Sequence, residues 1–164
     1  MDKEYTCFFS GHRVLPAAKK EIIKEQLIRS IVSLIEDKGV TDFIAGGALG
    51  FDTLAAQTII DLKEEYPYIK LNMYYPCYKQ FQKWSERDKN KWYNIDILCD
   101  SRIFISEEYT DDCMQRRNQK MVDDSYYGIC FCMKNNTGTG ATIKYARQCG
   151  KSVENIADII YGEY

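Results

Sequence analysis

Three glycine-containing polar segments hold most of the residues that could bind a ligand in this sequence. They are Ser10–Arg13 (SGHR), Gly46–Asp52 (GGALGFD) and Thr137–Thr142 (TGTGAT). Glycine permits positive φ angles and lets backbone N–H groups approach a ligand closely. Where a helix follows at once, its N-terminus adds partial positive charge and unpaired N–H donors. Together these features are typical of a site for phosphate or another anion.

A turn from strand to helix also needs glycine for its backbone geometry alone, so one such segment is weak evidence of a binding site. Because three segments of this kind follow predicted strands, we interpret their convergence as functional. Arg116, Arg117 and Asn118 lie on a predicted helix that could reach the same place, although a solvated helix face would also explain the arginines. Asp52 is the acidic candidate, and its alternative role is to start a helix.

Apolar runs that are typical of strands alternate with helix-like segments along the chain. The clearest helical signal runs from about residue 16 to residue 38, where Ile23, Leu27 and Ile31 recur at helical spacing before Gly39. Further helices are predicted at residues 52–65, 80–99, 110–124 and 142–149. Strands are predicted at residues 5–9, 42–45, 69–75, 101–106, 127–133 and, at an edge, 152–156.

Strands that alternate with helices predict an α/β fold in three layers, with a mostly parallel sheet and helices on both faces. We expect a single domain over residues 1–164, because a chain of this length usually forms one. Right-handed crossovers bring the carboxyl ends of parallel strands to one edge of the sheet. Ligands bind at this edge, where the strand order reverses. The three glycine segments follow the first, second and fifth strands, so we expect them to share one pocket.

Composition argues against several classes of protein. The formal net charge is −2, whereas a dedicated DNA-binding domain is usually basic. No stretch approaches 18 apolar residues and no signal-peptide pattern opens the sequence, so we expect no membrane partner and a cytoplasmic address. The seven cysteines include no CxxC pair, and the single histidine, His12, lies far from every other candidate ligand except Cys7. We therefore predict buried, reduced thiols without disulfides, and no metal site.

Aromatic residues have two competing interpretations. Tyr74, Tyr75 and Tyr78 could offer stacking platforms to single-stranded nucleic acid, but packing is the commoner role of such tyrosines. Nucleic acid is therefore a weaker alternative partner. Phe81, Trp84, Trp92, Ile95 and Cys99 are predicted to lie along one face of a helix, and core packing is the best explanation of this face.

The common nucleotide-binding motifs do not fit. The glycine spacing is GGxxG after the second strand rather than GxGxxG after the first, and the third strand ends in Tyr-Tyr-Pro instead of an acid. The sequence contains neither GxxxxGK[ST] nor GxSxG. These observations argue against a dinucleotide fingerprint, a P-loop nucleotidase and a nucleophile elbow.

Four segments in order resemble the YpsA-like branch of the SLOG superfamily, which also contains the DNA-processing protein DprA and the cytokinin-activating LOG phosphoribohydrolases. The segments are FFSGHR, GGALGFDTLAA, QRRNQKMVDDS and GTGATIKYARQCGK, and they extend over roughly residues 5 to 155. The resemblance implies a Rossmann-like sheet that binds a nucleotide or a nucleotide-derived ligand. It also implies that Arg117 and Asn118 face this ligand and that the GTGAT turn faces a phosphate.

The resemblance also bears on catalysis. LOG hydrolases have a GGxGTxxE pattern whose glutamate serves catalysis, and the nearest alignment places Lys144 at that position. A lysine cannot act as that acid, so we expect a sensor or carrier of a small molecule. The alternative is a hydrolase of a nucleotide or nucleoside monophosphate, with Asp52 as its acidic group. DprA-like binding of single-stranded nucleic acid is the weaker alternative, and enzyme activity is left open.

The predicted partner is a small nucleotide-like ligand; no cofactor is certain, and homo-oligomer formation is left open. We expect Arg117 to grip a phosphate from the rim of the pocket, so that its loss weakens binding and leaves folding unchanged. The predicted ligand-binding residues are Ser10, Gly11, His12, Arg13, Gly46, Gly47, Gly50, Asp52, Arg117, Asn118, Thr137, Gly138, Thr139, Gly140 and Thr142.

Overall fold

The computed structural model describes residues 1–162, so the last two residues of the predicted domain lie outside the described part. Within residues 1–162, six strands alternate with six α-helices. The strands are β1 (Thr6–Gly11), β2 (Asp42–Ala45), β3 (Lys70–Cys77), β4 (Ser101–Ser106), β5 (Tyr127–Phe131) and β6 (Ser152–Asn155). The helices are α1 (Lys20–Lys38), α2 (Phe51–Leu62), α3 (Glu86–Asp96), α4 (Cys113–Asp123), α5 (Gly138–Gln148) and α6 (Ile156–Ile160).

All six strands pair in parallel, in the order β4-β3-β2-β1-β5-β6. The central strand is β1, where Phe8 pairs with Ile44 of β2 and with Gly128 of β5. From β1 the chain moves outward through β2, β3 and β4, and it then crosses to β5 on the other side. The strand order therefore reverses between β1 and β5, which is where open α/β sheets bind their ligands. The predicted Rossmann-like α/β fold is confirmed.

Successive strand residues pack against helices on opposite faces of the sheet. Cys7 and Phe9 join the larger core, to which α1 contributes Leu27 and α2, α3 and α6 also contribute. Phe8 joins the smaller core with Met121 of α4, and α5 completes this second layer. Helices α4 and α5 therefore lie side by side on one face, so that their N-termini reach the carboxyl edge of the sheet.

The helix predicted at residues 80–99 is shorter than expected and spans Glu86–Asp96. It begins after Ser85 because the Ser85 hydroxyl accepts a hydrogen bond from the Asp88 N–H at 3.2 Å, which caps the helix. Residues 78–84 form turns, and Phe81 in these turns stacks on Trp92 with 3.8 Å between the ring centroids. The predicted core role of the aromatic residues is confirmed, but they do not form a single helical stripe.

The third glycine segment forms the first turn of a helix. Helix α5 begins at Gly138, four residues before its predicted start, because Thr137 caps it. The Thr137 hydroxyl accepts a hydrogen bond from the Gly140 N–H at 3.2 Å. Helix α2 begins directly after Gly50, in the second segment. Two of the three glycine segments therefore present a helix N-terminus at the carboxyl edge of the sheet.

Within residues 1–162, no helix combines the length and the apolar character that crossing a membrane requires. The thiols of all seven cysteines are free. The same residues contain no group of three or more His, Cys, Asp and Glu side chains that could hold a metal ion. The cytoplasmic address stays a prediction.

Candidate functional site

A cavity of about 1000 Å³ opens at the carboxyl edge of the sheet, beside the reversal of strand order. All three glycine segments contribute to its wall, and helix α4 adds the arginine and asparagine that were predicted to face the same place. The structure therefore brings these elements together as expected, while ligand binding by them stays a prediction. The predicted residues in this wall are Ser10, Gly11, His12, Arg13, Asp52, Arg117, Asn118, Thr137, Gly138 and Thr139.

Five of the predicted ligand-binding residues are not in this wall, as far as residues 1–162 describe it. Gly140 lines a second cavity of about 830 Å³ beside α5. Thr142 is buried, and its hydroxyl donates a hydrogen bond to the Gly138 carbonyl at 2.9 Å. These positions were chosen by spacing, which does not show whether a residue faces the ligand or the protein. The other three residues are Gly46, Gly47 and Gly50.

Gly46 is required by the packing of two charged side chains. A Cβ at Gly46 would lie 2.6 Å from Nη1 of Arg117 and 2.8 Å from Oδ2 of Asp52, closer than Cβ atoms approach other atoms in proteins. The next residue, Gly47, has a φ of 74° and lies against the Tyr75 ring. The glycine pair therefore allows Asp52 and Arg117 to reach the end of β2 from opposite sides.

Gly50 joins the first and second segments. Its φ is 78°, and a Cβ there would overlap the Arg13 carbonyl. The adjacent Phe51 N–H donates a hydrogen bond to the His12 carbonyl at 3.1 Å. A Cβ at Gly11 would in turn overlap the Phe51 side chain. Glycine at these positions is therefore explained by contact between the two segments.

Asp52 lies in the first turn of α2 and is 5% exposed. Its Oδ2 accepts a hydrogen bond from the Ala48 N–H at 3.4 Å. Its Oδ1 is buried and has no hydrogen-bond partner among residues 1–162. Burial raises the pKa of this carboxyl to about 6, although Arg117 and the Ala48 N–H oppose the rise. Buried acceptors are almost always bonded in proteins, so a donor from a ligand would complete this site.

Arg117 is buried, with 5% of its surface exposed, so its predicted position at the pocket rim was wrong. Its Nη1 donates to the Gly46 carbonyl and, at 3.5 Å, to the Tyr74 carbonyl. Its Nε donates to Asn118 Oδ1 at 2.8 Å. Burial lowers the pKa of Arg117, and the Asp52 carboxylate opposes that change. The helix pattern of α4 indicated a polar face, but it could not show that the ends of β2 and β3 place carbonyl acceptors there.

One part of Arg117 is left for a ligand. Its Nη2 has no hydrogen-bond partner within residues 1–162, and the residue is part of the cavity wall. The side chain therefore has two roles: Nη1 and Nε hold α4 against the sheet, and Nη2 offers an N–H fork. An arginine in this position binds phosphate oxygens with directional hydrogen bonds.

His12 is a neutral hydrogen-bond donor in the cavity wall. The Met133 N–H donates to its Nε2 at 2.8 Å, so Nε2 carries no proton and Nδ1 carries one. Burial and the nearby Lys134 lower the pKa of His12, which favours the neutral ring. The Nδ1–H has no acceptor among residues 1–162 and is therefore available to a ligand.

The N-terminus of α5 offers open space and unpaired N–H donors that suit an anion. Of the six glycines in the three segments, Gly138 is the one where an added Cβ would meet nothing within 4 Å. The N–H groups of Gly138 and Thr139 have no acceptor within residues 1–162. Because α5 has 11 residues, its N-terminus carries the partial positive charge of a helix dipole. Arg13 adds a full charge to the same wall.

A second wall of the cavity consists of residues that were not predicted from the sequence. This wall comes from the segments after β3 and β4 and from the start of α4, so the rule that ligands bind at the carboxyl ends of strands could have indicated it. Its character is mixed, with aromatic, cationic and amide groups. Its residues are Lys79, Gln80, Gln82, Lys83, Trp84, Glu108, Tyr109 and Met114.

Two of the three tyrosines considered as stacking platforms are core residues. Tyr75 is fully buried and donates to Asp96 Oδ1 at 2.6 Å, and Tyr74 donates to Asp124 Oδ2 at 2.6 Å. Tyr78 is exposed, but its ring stacks on Phe104 with 4.1 Å between centroids. The packing interpretation of Tyr74 and Tyr75 is confirmed, so neither can stack on nucleic acid.

The order of the motifs and the geometry of the site agree with a comparison to known families. The model of the YpsA family, described as a SLOG family, matches residues 14–158. The chain belongs to the YpsA family. A relative, the SPbeta prophage-derived protein YoqJ of Bacillus subtilis, is 30% identical over 139 residues, which cover 77% of this chain and 81% of YoqJ. The predicted resemblance is confirmed.

Two further similarities concern a second sequence relative and the DNA processing protein DprA, which this chain resembles in structure. The UPF0398 protein YpsA of Bacillus subtilis is 29% identical over 65% of this chain, and the match covers 57% of that protein. The DNA processing protein A of Helicobacter pylori, described for its single-stranded DNA binding mode, superimposes with a TM-score of 0.63. Its sequence identity is 17%, with 92% of this chain and 64% of that chain covered. This likeness shows the shared fold.

Lys144, the residue aligned with the catalytic glutamate of LOG hydrolases, lines the second cavity beside α5. It is not among the residues that line the cavity of Asp52 and Arg117 within the described chain. Both Asp52, from the start of α2, and Glu108, from the segment after β4, are acids that line the larger cavity of this YpsA-family member.

Proposed function

We propose that the larger cavity binds a nucleotide or nucleotide-derived small molecule, and that the protein acts as its sensor or carrier. The observation that carries this proposal is the buried Oδ1 of Asp52, which has no partner within residues 1–162 and lies in the same cavity wall as the N-terminus of α5. The unpaired Oδ1 needs a hydrogen-bond donor, and the helix N-terminus favours an anion. Nucleotides combine both, because sugar hydroxyls and base amino groups donate while phosphate accepts.

The donors in the cavity assign an orientation to such a ligand. Its phosphate meets the free N–H groups of Gly138 and Thr139, with Arg13 in the same wall. Its sugar or base donates to Asp52, while Nη2 of Arg117 binds an acceptor beside it. Membership of the YpsA family and the fold shared with a single-stranded DNA binding protein support nucleotide chemistry at this edge of the sheet.

Substitution of Gly138 tests the phosphate position without disturbing the fold. In Gly138→Glu, the new side chain has open space, and an acid in the first turn of α5 is favourable for the helix dipole. We expect this variant to melt no lower than the wild type and to lose nucleotide binding through charge repulsion. Gly138→Gln, of the same size and uncharged, should lose much less. Ligands are first chosen by thermal shift among nucleoside monophosphates, NAD and ADP-ribose, and affinities are then measured by calorimetry.

The outcomes separate the proposal from its alternatives. Equal binding by the Glu and Gln variants would show that no anion lies at Gly138. Tight binding of a single-stranded oligonucleotide, with no response to any mononucleotide, would favour a role like that of DprA and contradict the small-molecule proposal.

A hydrolase is the second candidate function, and the raised pKa of Asp52 favours it. A carboxyl with a pKa of about 6 is partly protonated near neutral pH and can exchange a proton with a substrate. Incubation with nucleoside monophosphates, followed by chromatography for free base and sugar phosphate, tests this function. Product that disappears in Asp52→Asn would establish hydrolysis, whereas intact nucleotide in the presence of demonstrated binding would leave the sensor or carrier role.

A further inference from the structure

The second wall of the cavity contains aromatic surface that core packing leaves partly uncovered. Tyr109, in the segment after β4, is 63% exposed, and Met114 at the start of α4 is also exposed. Trp84, in the segment after β3, is half-buried and contacts Phe81 edge to face, with 4.9 Å between centroids. All three line the cavity that contains Asp52. This wall is therefore continuous with the proposed phosphate site and differs from it in chemistry.

We infer that Trp84 and Tyr109 form a stacking wall for the base of the bound nucleotide, an inference that rests on the proposed function. The phosphate end of the cavity lies after β5, and the aromatic wall lies after β3 and β4, across the central strands of the sheet. A ligand that satisfies both ends has an anionic end and a flat aromatic end. The ligand class is therefore a nucleotide that retains its base, not a sugar phosphate.

Polar groups beside the aromatic wall fit a base. The Gln80 Nε2 donates to the Gly47 carbonyl at 3.0 Å, which fixes that side chain and leaves its Oε1 as an acceptor. The backbone N–H of Gln82 donates to the Lys79 carbonyl at 3.3 Å, while its side-chain amide has no hydrogen-bond partner among residues 1–162 and offers both a donor and an acceptor. Amide side chains of this kind hydrogen-bond to base edges, while the π-faces of all bases stack on aromatic rings. Stacking supplies affinity at this wall, and the glutamine amides supply preference among bases.

The test compares ligands with and without a base. Calorimetry measures adenosine, guanosine, cytidine and uridine 5′-monophosphates against ribose 5-phosphate. We expect at least one nucleotide to bind about tenfold or more tightly than ribose 5-phosphate. Tyr109→Ser should remove most of that difference and leave ribose 5-phosphate binding unchanged. Trp84→Leu should have the same effect. If this variant folds poorly, the Tyr109→Ser variant decides the test, because the Tyr109 side chain is mostly exposed and its loss should not disturb folding.

An exposed tyrosine far from the cavity supplies the control for these variants. Tyr68 is 56% exposed and precedes β3 at the opposite end of the strand, so Tyr68→Ser should bind all ligands like the wild type. If ribose 5-phosphate and the nucleotides bind equally, and Gly138→Glu weakens both, the stacking wall is wrong while the proposed function stands. If nucleotides bind better but both aromatic variants retain the difference, the base lies elsewhere. If neither class of ligand binds the wild type, the proposed function and the stacking wall both fall.

Discussion

At the scale of single residues, the site depends on two buried charges that face each other across a glycine. Asp52 and Arg117 both approach the position that a Gly46 Cβ would occupy, yet within residues 1–162 no ion pair of 4.0 Å or less joins them. Each charge changes the pKa of the other in the direction that favours ionisation. This arrangement leaves Oδ1 and Nη2 unbonded, because neither is used by its neighbour.

Arg117→Ala should destabilise the fold, contrary to the expectation from the sequence. In this variant the Gly46 and Tyr74 carbonyls lose their hydrogen-bond donor, and the buried Asp52 loses its compensating positive charge. We therefore expect the free energy of unfolding to fall by about 3 kcal/mol or more. Urea denaturation measures this. Arg116→Ala is the control, since Arg116 is exposed and contacts Asp112 and the Thr110 hydroxyl on the surface; its loss should cost about 0.5 kcal/mol or less. Equal effects would contradict the assigned burial of Arg117.

The pKa of Asp52 predicts a distinctive dependence of stability on pH. Burial raises this pKa from 3.8 to about 6, so ionisation is harder in the folded than in the unfolded state. Below about pH 4 the carboxyl is neutral in both the folded and the unfolded state, so burial of Asp52 carries no cost of ionisation. As pH rises from 4 through 6, the free energy of unfolding falls because the unfolded state ionises more easily than the folded state. The loss is on the order of 3 kcal/mol when complete. Other carboxyls titrate in the same range, so the test is the difference between wild type and Asp52→Asn.

Unfolding by urea at several pH values from 4 to 8 gives that difference. We expect the wild type to lose stability relative to Asp52→Asn as pH rises, with the change centred below pH 6. A difference that is constant with pH would show that Asp52 titrates normally in the folded protein.

At the scale of elements, two glycines at the start of α5 have different roles. Gly140 is needed for packing, whereas Gly138 leaves open space beside the helix N-terminus. A Cβ at Gly140 would overlap the Asn135 carbonyl, whereas a Cβ at Gly138 meets open space. We expect Gly140→Ala to destabilise the protein by about 1–3 kcal/mol and Gly138→Ala to change stability by less than about 0.5 kcal/mol. Thermal or urea unfolding of the pair tests this assignment. A neutral Gly140→Ala would mean that the turn before α5 is looser than described.

Element boundaries show why part of the site could be predicted and part could not. The spacing of Ile23, Leu27 and Ile31 predicts α1 because these apolar residues lie on one face of the helix, and that face is the buried one. The starts of α3 and α5 depend instead on the caps Ser85 and Thr137, which compete with longer helical patterns. Residues 80–84 therefore lie outside the helix in which they were predicted, and four of them, Gln80, Gln82, Lys83 and Trp84, line the cavity.

At the scale of the whole molecule, topology explains the convergence of the three segments. Alternating strands and helices predict that the carboxyl ends of parallel strands share an edge, and this rule correctly gathers Ser10–Arg13, Asp52 and Gly138. The same rule does not show how deeply a side chain is buried. The position of Arg117 depends on carbonyl groups of two strands distant in sequence, and the contribution of Tyr109 depends on the path of an irregular segment.

In the proposed complex, a nucleotide lies between the N-terminus of α5 and the aromatic wall. The most direct measurement is a nuclear magnetic resonance titration of ¹⁵N-labelled protein with the nucleoside monophosphate that binds most tightly. We expect the largest shifts at the backbone amides of Gly138 and Thr139 and at the indole N–H of Trp84. Shifts concentrated at Lys144 and Arg147, which line the second cavity, or no shifts with any nucleotide, would contradict this position of the nucleotide.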